Sequence, residues 1–370
     1  ISECLVGSEM CIRDRSSAVN SIKVDTFLDC LSDSGLHSVG FAPGFDRQGK
    51  PDAAKQAEAV ALAAKADAVL LCLGLDEIKE SEGLDRADMK LADNQIELLQ
   101  AVREANPNTV VIVNAGASLE TPWLAHCKAL VYGALGGQAG AGAMVDVLTG
   151  KINPGGKLAE TWANAYADTP ARDHFAGPGR TVQYREGLYV GYRYYQTAGV
   201  PVAFPFGHGL SYTQFAYSDL HADAHSATLT VTNTGDRAGA EIVQLYVAKP
   251  NAEIFRPAQE LKAFAKVQLA AGESKTVTLT LDDKAFRYRN TRTDSWEVEG
   301  GTYELRVGAS SADIRLTAAV EVIGTDALNP YAGKALPHYQ SGKVQTVPDA
   351  EWETLLGRPC LLYTSDAADE

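Results

Sequence analysis

The hydrophobic pattern of the chain changes once, and this change restricts the fold more than any other feature. Up to about residue 160, helical patterns alternate with short unbroken apolar runs, of which residues 68–73 (Ala-Val-Leu-Leu-Cys-Leu) are the clearest. Such runs are typical of strands in a parallel sheet that helices cover on both faces. From residue 216 onward, apolar residues recur at every second position, as they do in half-buried antiparallel strands. Two different architectures are therefore predicted in one chain.

The first region, residues 16–160, is predicted to be an α/β domain with a mostly parallel sheet layered with helices. Strands are expected at residues 37–41, 68–73, 109–113 and 129–132. Helices are expected after a cap at Asp25, over residues 53–65, after a cap at Asp93, and over residues 139–148. Residues 161–215, which are rich in Gly, Pro and aromatic residues, are predicted to be an extended linker.

The second region, residues 216–324, is predicted to be an immunoglobulin-like β-sandwich. Its alternating apolar sets define about seven short strands in roughly a hundred residues, which is the spacing that such a sandwich requires. Turn sequences such as residues 233–236 (Asn-Thr-Gly-Asp) separate the strands. Residues 325–359 are expected to form a C-terminal extension.

Both ends of the chain fit neither pattern. Residues 1–15 and 360–370 resemble translations of the adapter DNA used in transposase-based sequencing libraries, so we exclude them from the fold prediction. The gene is then expected to continue beyond both ends. Cys30, Cys72 and Cys127 remain, and an odd, well-spaced set predicts free thiols and favours a cytoplasmic location.

The charge balance argues against two classes of partner. Asp and Glu number 47 against 33 Lys and Arg, for a net charge of −14. An acidic surface repels phosphate backbones, so we expect no nucleic-acid partner. Since the sequence contains no apolar run long enough to cross a bilayer, we expect no membrane partner either.

A long acidic connection follows the apolar run at residues 68–73. Between residues 74 and 88, six acids stand against two bases: Asp76, Glu77, Glu80, Glu82, Asp85 and Asp88, with Lys79 and Arg86. Long strand-to-helix connections without clear periodicity are usually functional or disordered. The plainest interpretation is a solvated surface loop. Metal binding is a second alternative, although no His joins the cluster and the spacing matches no calcium loop.

A third interpretation of the acidic connection is general acid catalysis by Glu82. This residue precedes Gly83, so its side chain could project from a flexible loop into a cleft, and neighbouring carboxylates raise the pKa of a Glu toward neutrality. Asp85 and Arg86 are predicted to pair with each other and support the loop. No phosphate-binding loop, dinucleotide fingerprint, hydrolytic triad or zinc pattern is present, so we expect no cofactor and no metal.

Six blocks of the chain carry recognisable motifs: residues 80–86 (Glu-Ser-Glu-Gly-Leu-Asp-Arg), 106–110, 121–123, 146–158, 184–195 and 204–212 (Phe-Pro-Phe-Gly-His-Gly-Leu-Ser-Tyr). Together these blocks resemble bacterial glycoside hydrolase family 3, the β-glucosidases and their relatives, and residues 184–195 and 204–212 are the most specific of them. The resemblance extends from about residue 20 to 358 and implies that residues 216–324 are the fibronectin type III-like domain of the family.

The resemblance implies a retaining mechanism in which two carboxyl groups approach to about 5–5.5 Å across the sugar. An Asp nucleophile belongs to a preceding TIM-barrel domain, and the acid/base Glu occupies the glycine-flanked position matched by Glu82, with Glu80 as its nearest competitor. The substrate implied is a β-glycoside or oligosaccharide with a terminal non-reducing β-linked sugar, most simply glucose.

The sequence departs from the family in two places. It contains no barrel, so we expect a C-terminal fragment whose partner is the missing TIM-barrel domain and which is inactive alone. Residues 136–140 (Gly-Gly-Gln-Ala-Gly) stand where many members have Pro-Gly-Gln-Glu-Gly, which puts a sugar contact there in doubt. The alternative function is a non-catalytic carbohydrate-binding or structural module, although Trp123, Trp162 and Trp296 are scattered rather than grouped as a stacking platform.

Overall fold

A computed structural model describes residues 2–7, 22–23, 25–76, 79–81, 83–175 and 182–360, the first of these ranges as backbone only. The chain forms two compact units, Ile1–Ile152 and Asn153–Glu370. Within the described ranges, no helix combines the length and the apolar character needed to cross a membrane.

The first unit is a five-stranded parallel sheet with helices. Its strands are β1 (Ser2–Gly7), β2 (His37–Ala42), β3 (Ala68–Gly74), β4 (Thr109–Asn114) and β5 (Ala129–Tyr132). Its helices are α1 (Phe27–Ser32), α2 (Ala53–Ala63), α3 (Asp93–Ala105) and α4 (Gly140–Leu148). The strand order is β2-β1-β3-β4-β5, with every neighbouring pair parallel, which confirms the predicted α/β fold class.

Strand β3 is buried on both faces, as its unbroken apolar sequence predicts. Leu70 and Cys72 pack with Phe27 of α1 and Met144 of α4 in one core cluster. On the opposite face, Leu71 is fully buried. A strand in this position needs apolar side chains at successive residues because neither face contacts water.

Strand β1 lies between β2 and β3 and comes from the segment that the sequence analysis set aside. Leu5 is in register with Phe41 on one side and Leu70 on the other. A strand at this position satisfies backbone N–H and C=O groups of both neighbours, which would otherwise form two unpaired edges in the middle of the sheet. The adapter origin of residues 1–15 stays a prediction about where these residues come from.

Two helix starts differ from the expected caps. Thr26, not Asp25, is the N-cap of α1, and its Oγ1 accepts a hydrogen bond from Asp29 N at 3.2 Å. Asp93 is the first residue of α3 rather than its cap. A carboxylate in the first turn favours a helix through the partial positive charge of the N-terminus, so Asp93 supports the start without capping it.

The second unit contains an antiparallel sandwich of seven strands. Its sheets have the orders β11-β10-β15-β16 and β12-β9-β8. The strands of the unit are β6 (Trp162–Ala163), β7 (Val202–Phe204), β8 (Phe215–Ala222), β9 (Ser226–Asn233), β10 (Gly239–Ala248), β11 (Glu260–Leu269), β12 (Ser274–Thr280), β13 (Arg287–Asn290), β14 (Ser295–Val298), β15 (Gly301–Gly308) and β16 (Ile314–Val322). Alternate residues of β9 face the core between the sheets, as the period of two predicts.

The C-terminal extension packs against the segment that precedes the sandwich. The helices of the unit are α5 (Tyr192–Ala198), α6 (Pro337–Ser341) and α7 (Asp349–Leu356). Tyr339 and Val347 share a core cluster with Tyr189 and Tyr195. Arg185 is buried here, and its guanidinium donates to Val347 O at 3.1 Å. The extension is therefore part of the folded unit.

Candidate functional site

The acidic connection starts where β3 ends, at the carboxyl edge of the parallel sheet. Gly74 and Asn114 are in register as the last residues of these strands. The Gln95 side chain of α3 holds Gly74 with two hydrogen bonds, from Gly74 N at 3.0 Å and to Gly74 O at 2.9 Å. A Cβ on Gly74 would lie 2.3 Å from Asn114 O, so only glycine fits. The acidic connection, residues 75–92, thus begins from a fixed point.

The principal candidate, Glu82, lies outside the described residues, as does Glu77. The residue that follows Glu82 is described. Gly83 has a φ of +78°, in the left-handed region that favours glycine. Nothing lies within 4 Å of a Cβ built there, so the backbone conformation, not lack of space, explains the glycine.

Glu80, the competitor for the acid/base role, is turned into the fold. Its side chain is buried, with 9% exposed, and the N–H of Gly116 donates to Oε1 at 2.8 Å and to Oε2 at 3.0 Å. Gly116 belongs to the loop after β4, so this carboxylate joins the acidic connection to the neighbouring loop. The acidic connection is consequently not a uniformly solvated surface segment.

Asp85 and Arg86 do not form the expected pair. Asp85 is exposed, whereas Arg86 is half-buried, and no ion pair joins them among the described residues. The Arg86 Nη2 atom is buried and has no hydrogen-bond partner there. Their role in loop support stays a prediction.

The far end of the acidic connection is also fixed to the loop after β4. The N–H of Glu120 donates to Met89 O at 2.7 Å, and Leu91 is buried. Trp123 closes this region, with only 3% of its surface exposed and its Nε1 donating to Glu120 O at 3.1 Å. Glu80 in the first part of the acidic connection and Met89 near its end therefore both contact the loop after β4.

The tryptophans do not form a sugar-binding platform. Trp123 and Trp162 are buried, so neither presents a face for stacking on a sugar. Trp296 is exposed, but the Arg287 guanidinium lies over its ring at 4.7 Å. Among the described residues, no group of three or more His, Cys, Asp or Glu side chains is arranged to hold a metal ion.

The second unit contains a polar cavity of about 490 Å³ that the sequence analysis did not anticipate. Lys157 and Glu241 line it as an ion pair of 3.1 Å, and Asp313 and Arg315 line it as another of 2.9 Å. Burial, and then the positive charge of Lys157, lower the pKa of His208 on the same wall. Since these charged groups pair with each other, the cavity carries no unbalanced charge for a ligand.

Sequence patterns alone could not have identified Gly116 as a site residue. Its contact with Glu80 spans 36 residues, and only the pairing of β3 with β4 brings the two loops together. Tyr132 on β5 supports the same loop by donating its hydroxyl to Ala115 O at 2.8 Å. The local signal was the long acidic connection, which located one half of the site.

Two family matches cover most of the chain. Residues 8–212 match the glycosyl hydrolase family 3 C-terminal domain, and residues 241–311 match the fibronectin type III-like domain.

Similar proteins of known activity are longer than this chain. The chain is 45% identical over 276 residues to thermostable beta-glucosidase B of Acetivibrio thermocellus, covering 72% of this chain and 37% of that protein. It is 42% identical over 322 residues to the exo-alpha-(1->6)-L-arabinopyranosidase of Bifidobacterium breve, covering 85% and 42% respectively. A solved GH3 beta-glucosidase from Bifidobacterium adolescentis aligns with a TM-score of 0.84 at 38% identity, over 95% of this chain and 52% of that chain. The chain thus spans roughly half or less of the length of these relatives.

Proposed function

Because the chain belongs to glycoside hydrolase family 3, we propose that it supplies the general acid/base of a retaining exo-β-glycosidase, and that Glu82 is this residue. The supporting observation is that Glu80 is buried and hydrogen-bonded. Of the two glutamates in the family-like block, Glu80 has both carboxylate oxygens on the N–H of Gly116. Glu82, beside the left-handed Gly83, is therefore the better proton donor of the two.

The position of the acidic connection also supports this proposal. In open α/β sheets, ligands bind beyond the carboxyl ends of the strands, and the connection starts at Gly74, the last residue of β3. Contacts of Glu80 and Met89 with the loop after β4 hold it at that edge. A proton donor carried there can face a substrate held by another domain.

The proposed reaction has two steps. In the first, an Asp of a TIM-barrel domain attacks the anomeric carbon while Glu82 gives its proton to the departing glycosidic oxygen. In the second, ionised Glu82 takes a proton from water, whose oxygen attacks the anomeric carbon and releases the Asp carboxylate. The TIM-barrel domain is then the partner of this chain, and the chain alone does not hydrolyse the glycoside.

The substrate class follows from the relatives. One is named a beta-glucosidase and the other an exo-arabinopyranosidase, and both names describe release of a single sugar from a glycoside. A terminal non-reducing β-linked glucose is the first substrate to test, and an arabinopyranoside is the second. The free thiols of Cys30, Cys72 and Cys127 support a reducing, cytoplasmic location.

The test is a chimera in which residues 22–360 replace the matching part of thermostable beta-glucosidase B from Acetivibrio thermocellus, which keeps its own N-terminal half. We expect the chimera to hydrolyse cellobiose and 4-nitrophenyl β-glucoside. Glu82→Gln should lower kcat/KM on cellobiose by about 10²–10⁴-fold, the range for loss of a general acid. The loss on the activated nitrophenyl glycoside should be smaller, because its leaving group needs less protonation.

Azide provides the diagnostic readout. In Glu82→Ala, azide should attack the glycosyl-enzyme without needing a general base, restoring turnover and giving a β-glycosyl azide. The matched control is Glu97→Gln, the same substitution at an exposed position on α3. Unchanged cellobiose turnover in Glu82→Gln would refute the proposal. If the chimera is insoluble, residues 75–92 alone can be exchanged into the same relative and tested identically.

A further inference from the structure

We propose that Glu80 is a positioning residue that clamps the acidic connection onto Gly116 and thereby sets the reach of Glu82. This inference rests on the proposed function of Glu82 and adds a second glutamate with a different task. Glu80 would act as a hydrogen-bond acceptor only, without transferring a proton to the substrate.

The anchor point of this clamp is well supported. Gly116 follows Ala115, which is fully buried and whose carbonyl accepts the Tyr132 hydroxyl at 2.8 Å. Tyr132 belongs to β5 and Ala115 directly follows β4, so the loop is held by two strands of the sheet. A carboxylate bound to this N–H is therefore fixed relative to the sheet.

The clamp also fixes the backbone just before Glu82. Glu80 N donates to Asp76 O at 3.1 Å, and Lys79 N donates to Asp76 Oδ1 at 2.8 Å, which defines the turn that ends at the clamp. Two residues of extended chain span at most about 7 Å, so the Cα atoms of Glu80 and Glu82 are no farther apart than this. Loss of the clamp would release the segment that carries the acid/base.

A small displacement is enough to slow the reaction. Productive geometry places the reacting atoms about 3–3.5 Å apart, and a misplacement of about 1 Å can cost roughly 10²-fold in rate. A clamp that is two residues from the acid/base therefore affects kcat more than substrate binding, which other groups provide.

The two roles can be separated because glutamine keeps an acceptor oxygen but cannot serve as an acid. In Glu80→Gln, the new amide oxygen would still accept from Gly116 N, whereas Glu80→Ala would leave that N–H without this partner. We therefore expect Glu80→Gln to retain kcat within about fivefold, since one neutral hydrogen bond replaces a charge-assisted one. A general acid would lose its function equally in both variants.

The experiment compares Glu80→Gln, Glu80→Ala, Glu82→Gln and Glu82→Ala in the chimera. We expect Glu80→Ala to lower kcat by about 10- to 100-fold with little change in KM. Azide should not rescue it, and the limb of the pH–rate profile that reports the general acid should keep its position. Glu97→Ala, on the exposed face of α3, is the matched control.

Three other outcomes are decisive, two against the clamp and one against the proposed function of Glu82. Equal losses in Glu80→Gln and Glu80→Ala, with azide rescue and a glycosyl azide product, would make Glu80 the acid/base itself. Parental kcat in Glu80→Ala would show that the clamp has no role. Unchanged turnover in both Glu82 variants would remove the proposed function instead, so the two failures are distinguishable.

A structural measurement complements the kinetics and needs only the present chain. Hydrogen exchange of the Gly116 amide should be at least about tenfold faster in Glu80→Ala than in the parent and in Glu97→Ala, because the amide loses its acceptor. Unchanged exchange at Gly116 would show that the contact does not persist in solution and would refute the clamp.

Discussion

Lys157 and Glu241 form an ion pair that is largely withdrawn from water. Their side chains are 12% and 5% exposed, and Lys157 Nζ also donates to Gly209 O at 2.9 Å. Replacing Lys157 with Met keeps the length of the side chain but leaves the Glu241 carboxylate buried without its cation. We expect Lys157→Met to lower the free energy of unfolding by about 3–5 kcal/mol in guanidinium denaturation.

The double variant Lys157→Met/Glu241→Leu tests whether the charge causes this loss. Removing both charges should restore most of the stability, since an apolar pair of similar volume can replace a buried ion pair. Lys151→Met is the control, because Lys151 pairs with Asp146 on the surface and its side chain is 72% exposed. That change should cost less than about 1 kcal/mol. Equal losses at both lysines would contradict the argument.

At the scale of single residues, the sequence indicated candidate side chains but not their contacts. The block around Glu82 identified two candidate glutamates, but their difference depends on Gly116, which lies 36 residues from Glu80. The pairing of Asp85 with Arg86 was expected from adjacency alone, and adjacent side chains need not share an environment. Contacts of this kind follow from strand pairing, which local patterns do not contain.

At the scale of elements, β1 is the strand that joins β2 to the rest of the sheet, so its loss should divide the sheet. Its backbone pairs with β2 and β3 at once, and Leu5 sits in the middle of both ladders. Proline has no N–H, so Leu5→Pro leaves a neighbouring carbonyl without its donor in a central strand. We expect a loss of about 1–3 kcal/mol, the cost of one buried unsatisfied group.

Trp123 is the tryptophan of the first unit, so its fluorescence reports this change when Trp162, Trp296 and Trp352 of the second unit are replaced by Phe. Its denaturation midpoint should fall in Leu5→Pro and stay near the parental value in Leu5→Val, which keeps the N–H. Identical midpoints for all three chains would show that residues 2–7 do not pair in solution. That result would agree with the hypothesis that residues 1–15 are translated adapter sequence.

Elements whose apolar residues follow a clear pattern were predictable, and elements without such a pattern were not. The unbroken apolar sequence of β3 and the alternation along β9 correspond to a strand buried on both faces and a strand buried on one. Strand β1 has no comparable pattern and was set aside by its resemblance to adapter sequence. The cap of α1 was misplaced by one residue, because Asp25 and Thr26 both carry an oxygen that could accept from the first N–H groups of the helix. The cap of α3 was misplaced because this helix starts after Ala92, which has no capping side chain.

At the scale of the whole molecule, the C-terminal extension completes the core of the second unit. Leu336, Tyr339, Val344 and Val347 are buried in the cluster that also contains Tyr189. Tyr339 donates its hydroxyl to Arg185 O at 2.9 Å, which connects residues 154 positions apart. Nothing in the composition of residues 325–359 indicated where this extension would pack.

Truncation distinguishes a folded extension from a dispensable tail. Burying four such side chains contributes roughly 6–12 kcal/mol, which is comparable to the total stability of a typical domain at about 5–15 kcal/mol. Removing residues 336–370 should therefore abolish the cooperative calorimetric transition of the second unit, whereas removing only residues 361–370 should leave it in place, as the adapter hypothesis for the C-terminal residues requires. A transition that survives the longer deletion at an unchanged temperature would show that the sandwich folds without the extension. The cluster around Tyr189 would then have to be stabilised by residues 182–200 and their contacts with the sandwich.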